Sequence, residues 1–490
     1  MDTSEGRHLP DTHHAPSLRW RKFGFLVFPL LIVLLAMFAG IKDTDYYRLK
    51  YLKSSFGLPL RSLFVDKFFG FPRNQKGKAD APPRCVLWMA PFLAGGGYSS
   101  EAWAYITALD RKRGDQFRLR ILQHGDLENI EFWDGLPDNA KDLAVRLYAT
   151  ECDMDETIVI CHSEPGAWYP PLFQTLPCPP SGYEDPAYVI GRTMFETDRV
   201  NREHVERCNR MDSVWVPTDF HVNTFTASGV DPSKVVKVVE SVDTEFFDPA
   251  KWEQMRLPTK GLVIGYNSGT EFIPKNQFVF LSIFKWEIRK GWDVLLRAYL
   301  KEFSASDGVV LYLVTNAYHS DRNFGDRIKR FVNDSDIEEP PSGWAPVYLH
   351  DTHIPQNKLP EIYRAADAFV LPSRGEGWGR PHVEAMAMSL PVIATNWSGP
   401  TEYMTEQNSY PLPVDHMGEV TEGPFSGHLW AEPSVDDLRI LMRKVVKEPD
   451  EARERSKQAR EDMVRRFSPE IVAEFVMHQI VKAPKKTGRR

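Results

Sequence analysis

Short apolar runs alternate with helical patterns along most of this chain, and this alternation limits its fold more than any other feature. One series of runs lies between residues 85 and 241 and a second between 278 and 396, with a segment rich in proline, tryptophan and lysine (249–260) between them. Strands that alternate with helices form parallel sheets covered on both faces. The sequence therefore predicts an α/β fold with two doubly wound domains that face a cleft.

The chain has 490 residues, which is long enough for two such domains and further segments. We predict six parts in this order: a short N-terminal tail (1–22), a transmembrane anchor (23–41), a stem (42–83), a first doubly wound domain (84–255), a second domain that includes the C-terminal helices (256–482) and a basic tail (483–490). Because open α/β sheets bind ligands beyond the carboxyl ends of their strands, site residues are expected in the loops that follow strands.

The predicted anchor, FGFLVFPLLIVLLAMFAGI, is a run of 19 residues without a charge. As a helix it would be about 28 Å long, close to the thickness of a bilayer core. A cleaved signal peptide is the alternative, but its apolar stretch is usually shorter and ends in an A-x-A-like site, which LAMFAG does not offer. Arg19, Arg21 and Lys22 favour a type II single-pass protein of the Golgi or endoplasmic reticulum with a lumenal C-terminal part. Basic residues after the run leave the orientation open.

Charge and cysteine content exclude some classes of protein. The formal net charge is -7, with acidic and basic residues mixed, whereas non-specific nucleic-acid binding needs a concentrated basic surface. The five cysteines show no CxxC spacing, so a structural zinc site is not expected, and their odd number leaves at least one thiol free or paired between chains. Triplets at Asn333 and Asn396 fit the N-glycosylation pattern, which also occurs often by chance.

The most informative segment is SRGEGWGRPHVEAMAMSLPVIATNWSGPTE (373–402), which follows a strand-like run. Its closely spaced glycines allow tight turns, and Pro381 suits the first turn of a helix. The N-terminus of that helix offers N–H groups and partial positive charge to a diphosphate. Glu376 and Glu384 can accept hydrogen bonds from the hydroxyls of a sugar and a ribose. In the alternative interpretation, Glu384 complements the helix dipole and Glu376 is a solvated loop residue.

The spacing of these two glutamates, in E-G-W-G-R-P-H-V-E, resembles the E-x7-E motif of retaining family 4 glycosyltransferases. The segments VWVPTDFHVNTFTASGV (214–230) and VDTEFFDP (242–249) are similar to the linker that enters the donor domain of that family, with Ser241 in place of the usual glycine. The resemblance covers about four-fifths of the chain. It implies a GT-B fold with two Rossmann-like domains, a nucleotide-sugar donor, transfer with retention, and no metal or other cofactor.

The resemblance also implies roles for individual residues. Glu376 would contact the transferred sugar and Glu384 the donor ribose. Lys285 and Lys290 would neutralise the diphosphate, and Arg289 could compensate for a lysine at 285 where the family carries arginine. His162 would face the acceptor, with Glu196 as a weaker candidate. Further backbone contacts to the donor would come from Gly377, Trp378, Gly379 and Arg380 in the second domain and from Gly95, Gly96 and Gly97 in the first. The predicted catalytic residues are therefore Glu376, His162 and Lys290.

Two other functions compete with this interpretation. A nicotinamide-dependent dehydrogenase should carry G-x-G-x-x-G after its first strand, and LAGGGYSSEA lacks that spacing. A membrane-tethered, inactive sugar- or nucleotide-binding module on the same fold is permitted by Lys285 and Ser241. The expected partners are a nucleotide-sugar donor, an acceptor that could be a glycan, a lipid or a protein, and the membrane, with no nucleic acid.

Overall fold

The computed structural model describes residues 84–180, 186–266, 269–317, 323–352 and 354–484. They belong to one compact unit that spans Pro82–Arg490. The predicted anchor, the N-terminal tail and the stem lie outside the described residues, as do the last six residues of the basic tail. Within the part of the chain that is described, no helix is both long enough and apolar enough to span a bilayer.

The first sheet has six parallel strands in the order β2-β1-β3-β4-β5-β6. They are β1 (Cys85–Ala90), β2 (Arg118–Gln123), β3 (Thr157–His162), β4 (Tyr188–Arg192), β5 (Ser213–Val216) and β6 (Val235–Lys237). Every residue of β1 and β3 is buried, as expected for central strands that helices cover on both faces. The helices of this domain are α1 (Gly97–Lys112), α2 (Ile130–Gly135), α3 (Asp138–Tyr148), α4 (Arg202–Cys208) and α5 (Asp219–Ala227).

The second sheet has seven strands in the order β13-β12-β11-β8-β9-β10-β7, all parallel except the edge strand β7. They are β7 (Leu262–Ile264), β8 (Phe278–Trp286), β9 (Val309–Ala317), β10 (Val347–His350), β11 (Ala368–Leu371), β12 (Val392–Thr395) and β13 (Tyr410–Leu412). Four helices alternate with them: α6 (Trp292–Glu302), α7 (Phe324–Asp334), α8 (Leu359–Tyr363) and α9 (Arg380–Ala387). The predicted α/β class with two Rossmann-like sheets is confirmed.

A hairpin and three helices complete the described chain. Strands β14 (Val414–Glu419) and β15 (Leu429–Pro433) pair antiparallel, and they precede α10 (Val435–Lys447), α11 (Pro449–Phe467) and α12 (Pro469–Lys482). The start of α10 follows from sequence, because the Ser434 hydroxyl accepts a hydrogen bond from the N–H of Asp437 (3.2 Å). Although α12 comes last, its residues Val472, Val476 and Ile480 pack with α1 in the core of the first sheet. The predicted domain limits at 255 and 482 stay predictions.

Two disulfides lie in the first domain. Cys85 at the start of β1 pairs with Cys152, and Cys161 near the end of β3 pairs with Cys178, with Cα–Cα distances of 5.7 and 5.6 Å. Cys208 is the free thiol that the odd count requires, and it is buried. The sequence alone could not give this pairing, because each partner lies in a loop that the tertiary structure brings to the strand.

Candidate functional site

The two sheets meet through the loop after β11 and the segment after β4. A Cβ on Gly375 would overlap the carbonyl oxygen of Glu196, and a Cβ on Gly377 would overlap the side chain of Met194. Only glycine therefore allows the backbone at 375 to come so close to the backbone of Glu196, whereas a side chain at 377 would have to displace the Met194 side chain. The loop is held from its other side by Ser398, whose hydroxyl accepts a hydrogen bond from the N–H of Glu376 (3.0 Å). This loop (372–379), which we call the glutamate loop, thus lies directly against the first domain.

Glu376 and Lys290 form the centre of this contact. The Nζ of Lys290 lies 2.8 Å from both carboxylate oxygens of Glu376, which is only 5% exposed. Arg289 adds a second cation, with Nη1 3.6 Å from Oε2. Burial by itself would raise the pKa of Glu376, but the charges of Lys290 and Arg289 outweigh it and lower that pKa to about 2. Glu376 is therefore ionised, and a basic turn (Ile288–Lys290) after β8 faces it.

Arg374 fixes the relative position of that turn and the glutamate loop. Its guanidinium donates to the carbonyl of Ile288 (2.6 Å), to both oxygens of Asp293 (2.9 and 2.8 Å) and to Glu432 in β15 (2.8 Å). The N–H of Arg374 donates to the carbonyl of Arg289 (2.6 Å). The sequence analysis missed Arg374 because its partners are 58 to 86 positions away in the chain, so no local pattern marks it.

Lys285 reaches across the cleft to the glycine loop of the first domain, which Gly95, Gly96 and Gly97 form. Its Nζ lies 4.0 Å from the position that a Cβ on Gly96 would occupy, and Asp126 Oδ2 lies 3.5 Å from the same point. Burial lowers the pKa of Lys285, while the charges of Glu287 and Asp126 act in the opposite direction. Gly95, which has a φ of +72°, packs against the ring of Phe132, whereas Gly97 begins α1 beside open space. The predicted glycine loop and the predicted phosphate-binding lysine therefore do meet.

Helix α9 starts at the end of the glutamate loop, after Gly379 with a φ of +97°. Glu384 accepts a hydrogen bond from Tyr363 (3.0 Å), and its other oxygen lies 3.9 Å from Nε of Arg380. Burial raises the pKa of Glu384. Arg380 also approaches the linker between the sheets, at Glu240 (3.5 Å) and at the carbonyl of Ser241 (3.3 Å). The structure thus brings both glutamates to the same loop and helix.

Two residues that the sequence analysis singled out, Trp378 and Ser241, lie close to this helix. Trp378 is 2% exposed, and its carbonyl accepts a hydrogen bond from Tyr403 (2.7 Å). Among the described residues, only Ser389 and Ser398 combine a side chain with a positive φ. Ser241 therefore takes an ordinary backbone conformation, and the glycine that it replaces in the resembled family is not needed at this turn.

His162 does not face the cleft, contrary to the prediction of an acceptor-facing catalytic residue. The side chain is 0% exposed, Nδ1 accepts a hydrogen bond from Trp88 Nε1 (3.1 Å), and Nε2 donates to Glu101 (2.8 Å). Arg192 donates to the same carboxylate (2.7 Å). Because both ring nitrogens are engaged inside the core, His162 supports Glu101 and has no route to a substrate. Glu196 does lie at the cleft, 3.5 Å from Arg289.

Comparison with known proteins agrees with this geometry. Residues 275–419, which include the basic turn and both glutamates, match the family model of the glycosyl transferases group 1. This match covers less than a third of the chain, so the likeness to the family is shown for that segment. D-inositol 3-phosphate glycosyltransferase 1 of Catenulispora acidiphila is 28% identical over 175 residues, which is 35% of this chain and 37% of that protein. The match thus spans less than two-fifths of the length of this curated relative.

Solved structures show the same fold over both domains. Alr3699/HepE of Anabaena, whose structure holds UDP and glucose, superposes with a TM-score of 0.54 at 12% identity, covering 81% of this chain and 99% of that one. Sucrose-phosphate synthase of Thermosynechococcus elongatus has a TM-score of 0.54 at 14% identity, covering 81% of this chain and 98% of its own. The chain therefore has the GT-B fold.

Proposed function

We propose that this group 1 glycosyltransferase transfers a sugar from a nucleoside diphosphate sugar to an acceptor, with retention of the anomeric configuration and without a metal ion. The observation that carries the proposal is the contact of Lys290 with both carboxylate oxygens of Glu376 (2.8 Å), in a loop that lies against Glu196 and Met194 of the first domain. An ionised carboxylate can accept hydrogen bonds from sugar hydroxyls, and a lysine can neutralise a diphosphate. Both groups lie in the cleft between the two sheets. The UDP and glucose in the HepE structure make a uridine nucleotide the first donor to test.

Charge stabilisation is the main catalytic contribution that these residues can make. When the sugar leaves, the nucleoside diphosphate gains negative charge, and Lys285, Lys290 and the N-terminus of α9 would surround it. Preorganised groups of this kind contribute roughly 100- to 1,000-fold to kcat each. Lys285 acts as a point charge, because it cannot make the two parallel hydrogen bonds of an arginine.

Glu376 changes partner in the proposed reaction. In this structure Glu376 contacts Lys290 and Arg289. A donor diphosphate would draw Lys290 toward itself, which frees the carboxylate oxygens to accept hydrogen bonds from the sugar hydroxyls. Arg289, whose Nη1 lies 3.6 Å from Oε2, would still favour the ionised carboxylate, which can only accept hydrogen bonds. Glu384, which lies in α9, would accept hydrogen bonds from the ribose in the same way.

The location of the enzyme also belongs to the proposal. We place the main part in the lumen of the Golgi or endoplasmic reticulum, anchored as a type II protein by residues 23–41. The Cys85–Cys152 and Cys161–Cys178 disulfides support an oxidising compartment. The acceptor would be a glycan, a lipid or a protein that meets the first domain.

The test is donor hydrolysis by the full chain in detergent, followed by proton NMR with a panel of nucleotide sugars. We expect slow release of one sugar, first in the retained anomeric form, and loss of that release in Glu376→Gln. Glu474→Gln is the matched control, since Glu474 pairs with Lys112 on an exposed surface, and it should behave as the wild type. A folded chain that binds one donor without turnover would instead support the inactive binding module.

A further inference from the structure

A disulfide-closed loop follows β3 at the carboxyl edge of the first sheet. Cys161 and Cys178 close it, and Tyr169 N–H donates to the carbonyl of Cys178 (2.8 Å). Its base is buried, because Trp168 is 0% exposed and fills the space beside Gly191 where a side chain would otherwise lie. Arg207 holds the loop from α4 by donating to the carbonyl of Pro170 (2.9 Å). The loop is therefore fixed at its base.

The tip of this loop, residues 169–176, is apolar and exposed. Four large apolar side chains are about half exposed: Tyr169 49%, Leu172 51%, Phe173 47% and Leu176 47%. The stretch YPPLFQTLPCPP (169–180) contains no charged residue. Single exposed apolar residues are common on soluble proteins, but several in one short loop mark a surface that meets another apolar surface. A rigid base beneath such a tip lowers the entropy lost when the tip is immobilised.

The tip lies at the edge of the sheet that carries the candidate site. His124, directly after β2, donates through Nδ1 to the carbonyl of Leu176 (2.7 Å), and Thr175 donates to the carbonyl of Gly125 (3.4 Å). Leu127, two positions after Gly125, is 90% exposed. The same segment contains Asp126, which lies beside Gly96 in the cleft. The apolar tip and the donor cleft are thus built on neighbouring loops of one domain.

We propose that this tip docks on the surface of a zwitterionic bilayer. Tyrosine, phenylalanine and leucine are the side chains that settle at the membrane interface. The charged residues of the two bordering segments, 124–128 and 163–168, are all acidic (Asp126, Glu128 and Glu164). They would be repelled by anionic lipids, so the docking depends on apolar contact and favours neutral headgroups.

The sequence that precedes the described residues gives a reason to choose a membrane as the partner of the tip. Residues 42–83, which are 42 in number, separate the proposed anchor from the first described residue, Arg84. A chain of that length can extend to about 140 Å at 3.3 Å per residue. Strand β1, with six residues, is only about 20 Å long. Such a tether leaves the carboxyl edge of the sheet free to meet the membrane, and it keeps the tip at high effective concentration near the lipid.

Docking at this edge would turn the mouth of the cleft toward acceptors that are held in or on the membrane. This consequence rests on the proposed sugar transfer, and the choice of a bilayer rests on the proposed anchor (23–41). Sugar transfer and docking can still fail separately, because neither needs the other.

The test uses the full chain in phosphatidylcholine vesicles with a polarity-sensitive fluorophore on Leu172→Cys. Ile440→Cys on α10 is the matched control, because Ile440 is also an exposed apolar residue (63%) but belongs to the second domain. The disulfide-bonded cysteines and the buried Cys208 are protected from the label. At position 172 we expect a blue shift and about a twofold loss of emission with quencher-bearing lipids, since interfacial groups lie 5–10 Å deep. At position 440 neither change should occur.

Three results would overturn the docking proposal: equal, solvent-like emission at both positions, a chain that does not float with vesicles, or a blue shift without lipid quenching that grows with protein concentration. The last result would assign the tip to a second copy of the chain. A quenched signal that is stronger with phosphatidylserine than with phosphatidylcholine would contradict the choice of neutral lipid. Donor hydrolysis, measured on the same samples, reports on the proposed function independently.

Discussion

Two ion-paired clusters lie at the carboxyl edges of the two sheets, and they differ in access rather than in chemistry. In the first sheet, His162 ends β3 and Arg192 ends β4, and both bind Glu101 with side chains 0–1% exposed. In the second sheet, Lys290 and Glu376 follow strands in the same way, but their side chains keep 13% and 7% exposure at the cleft. A charged group at the end of a parallel strand is therefore a candidate for catalysis only when neighbouring side chains leave it a route to substrate.

The largest effect is expected from Glu101→Gln, which would leave Arg192 buried without its carboxylate. Removing one partner of a buried ion pair costs about 3–5 kcal/mol. Urea unfolding should show this loss, while the folded fraction keeps the donor KM of the wild type. As a control, Glu474→Gln at an exposed pair should change stability by less than about 0.5 kcal/mol. Loss of turnover without loss of stability would assign the first cluster to the reaction.

Lys290→Met should lower activity much more than stability, which is the reverse of the effect expected for Glu101→Gln. We expect kcat/KM to fall roughly 100- to 1,000-fold, because a cation is lost from the developing diphosphate charge. Stability should fall by less than in Glu101→Gln, since Arg289 remains 3.6 Å from Glu376 as a second cation. Lys301→Met, at a surface pair with Asp336, is the control. A large loss of stability with normal turnover of the folded fraction would make the second cluster structural like the first.

Acid should destabilise the protein through its buried histidines before it protonates Glu376. His124 and His221 are buried, and burial lowers their pKa values to about 4 and about 3. The unfolded chain, with histidine pKa near 6.5, then binds more protons, so stability is full above pH 6.5 and falls as the pH drops. The loss at pH 5 is about 2 kcal/mol for each histidine. The pKa of Glu376 is also lowered, to about 2, so its contribution is lost only as pH falls from about 4.5 toward 2.

Urea unfolding between pH 7 and pH 5 measures this dependence. His221→Gln should reduce the pH dependence by the share of one histidine, even though it also lowers stability at pH 7. An unchanged slope in that variant would mean that His221 does not stay neutral in the folded state.

The smallest effect is expected from Lys285→Arg. An arginine can bind a phosphate through two parallel hydrogen bonds, so the donor KM should fall about two- to fivefold, which corresponds to about 0.5–1 kcal/mol. Steady-state kinetics with the identified donor measure this change, with Lys301→Arg as the control. A rise in KM would show that Asp126 and Gly96 leave no room for the guanidinium.

The sequence predicted the strands well where they are fully buried. The first predicted series of apolar runs begins at residue 85, where the fully buried strand β1 also begins, and it includes the fully buried β3. It was less accurate where pairing rather than composition ends a strand. The first series of apolar runs was placed up to residue 241, but its last strand, β6, ends at Lys237, since the residues that follow turn away to form the linker. The edge strand β7 and the β14–β15 hairpin were not predicted, because short strands of mixed polarity lack a clear period.

The same division holds for the site. Glu376 and Glu384 were predicted because a strand, a glycine loop and a helix start follow one another within a single short segment, whereas Lys290 was predicted from the family resemblance. His162 looked equivalent in sequence, since it also ends an apolar strand. Its burial under Trp88 depends on α1 and on neighbouring strands, which local sequence does not report. Arg374 was missed for the same reason, because its partners come from the basic turn, α6 and β15.

The sequence by itself determined the alternating elements, the glycines where two backbones touch, and the chemical identity of the candidate donor site. These features are local, because hydrophobic period, backbone freedom and helix termini are properties of neighbouring residues. Only the tertiary structure decided which charges are reachable, which cysteines pair and which apolar loop faces outward. Each of those depends on contacts between segments far apart in the chain, and the free energy of a charge or an apolar side chain is set by what surrounds it.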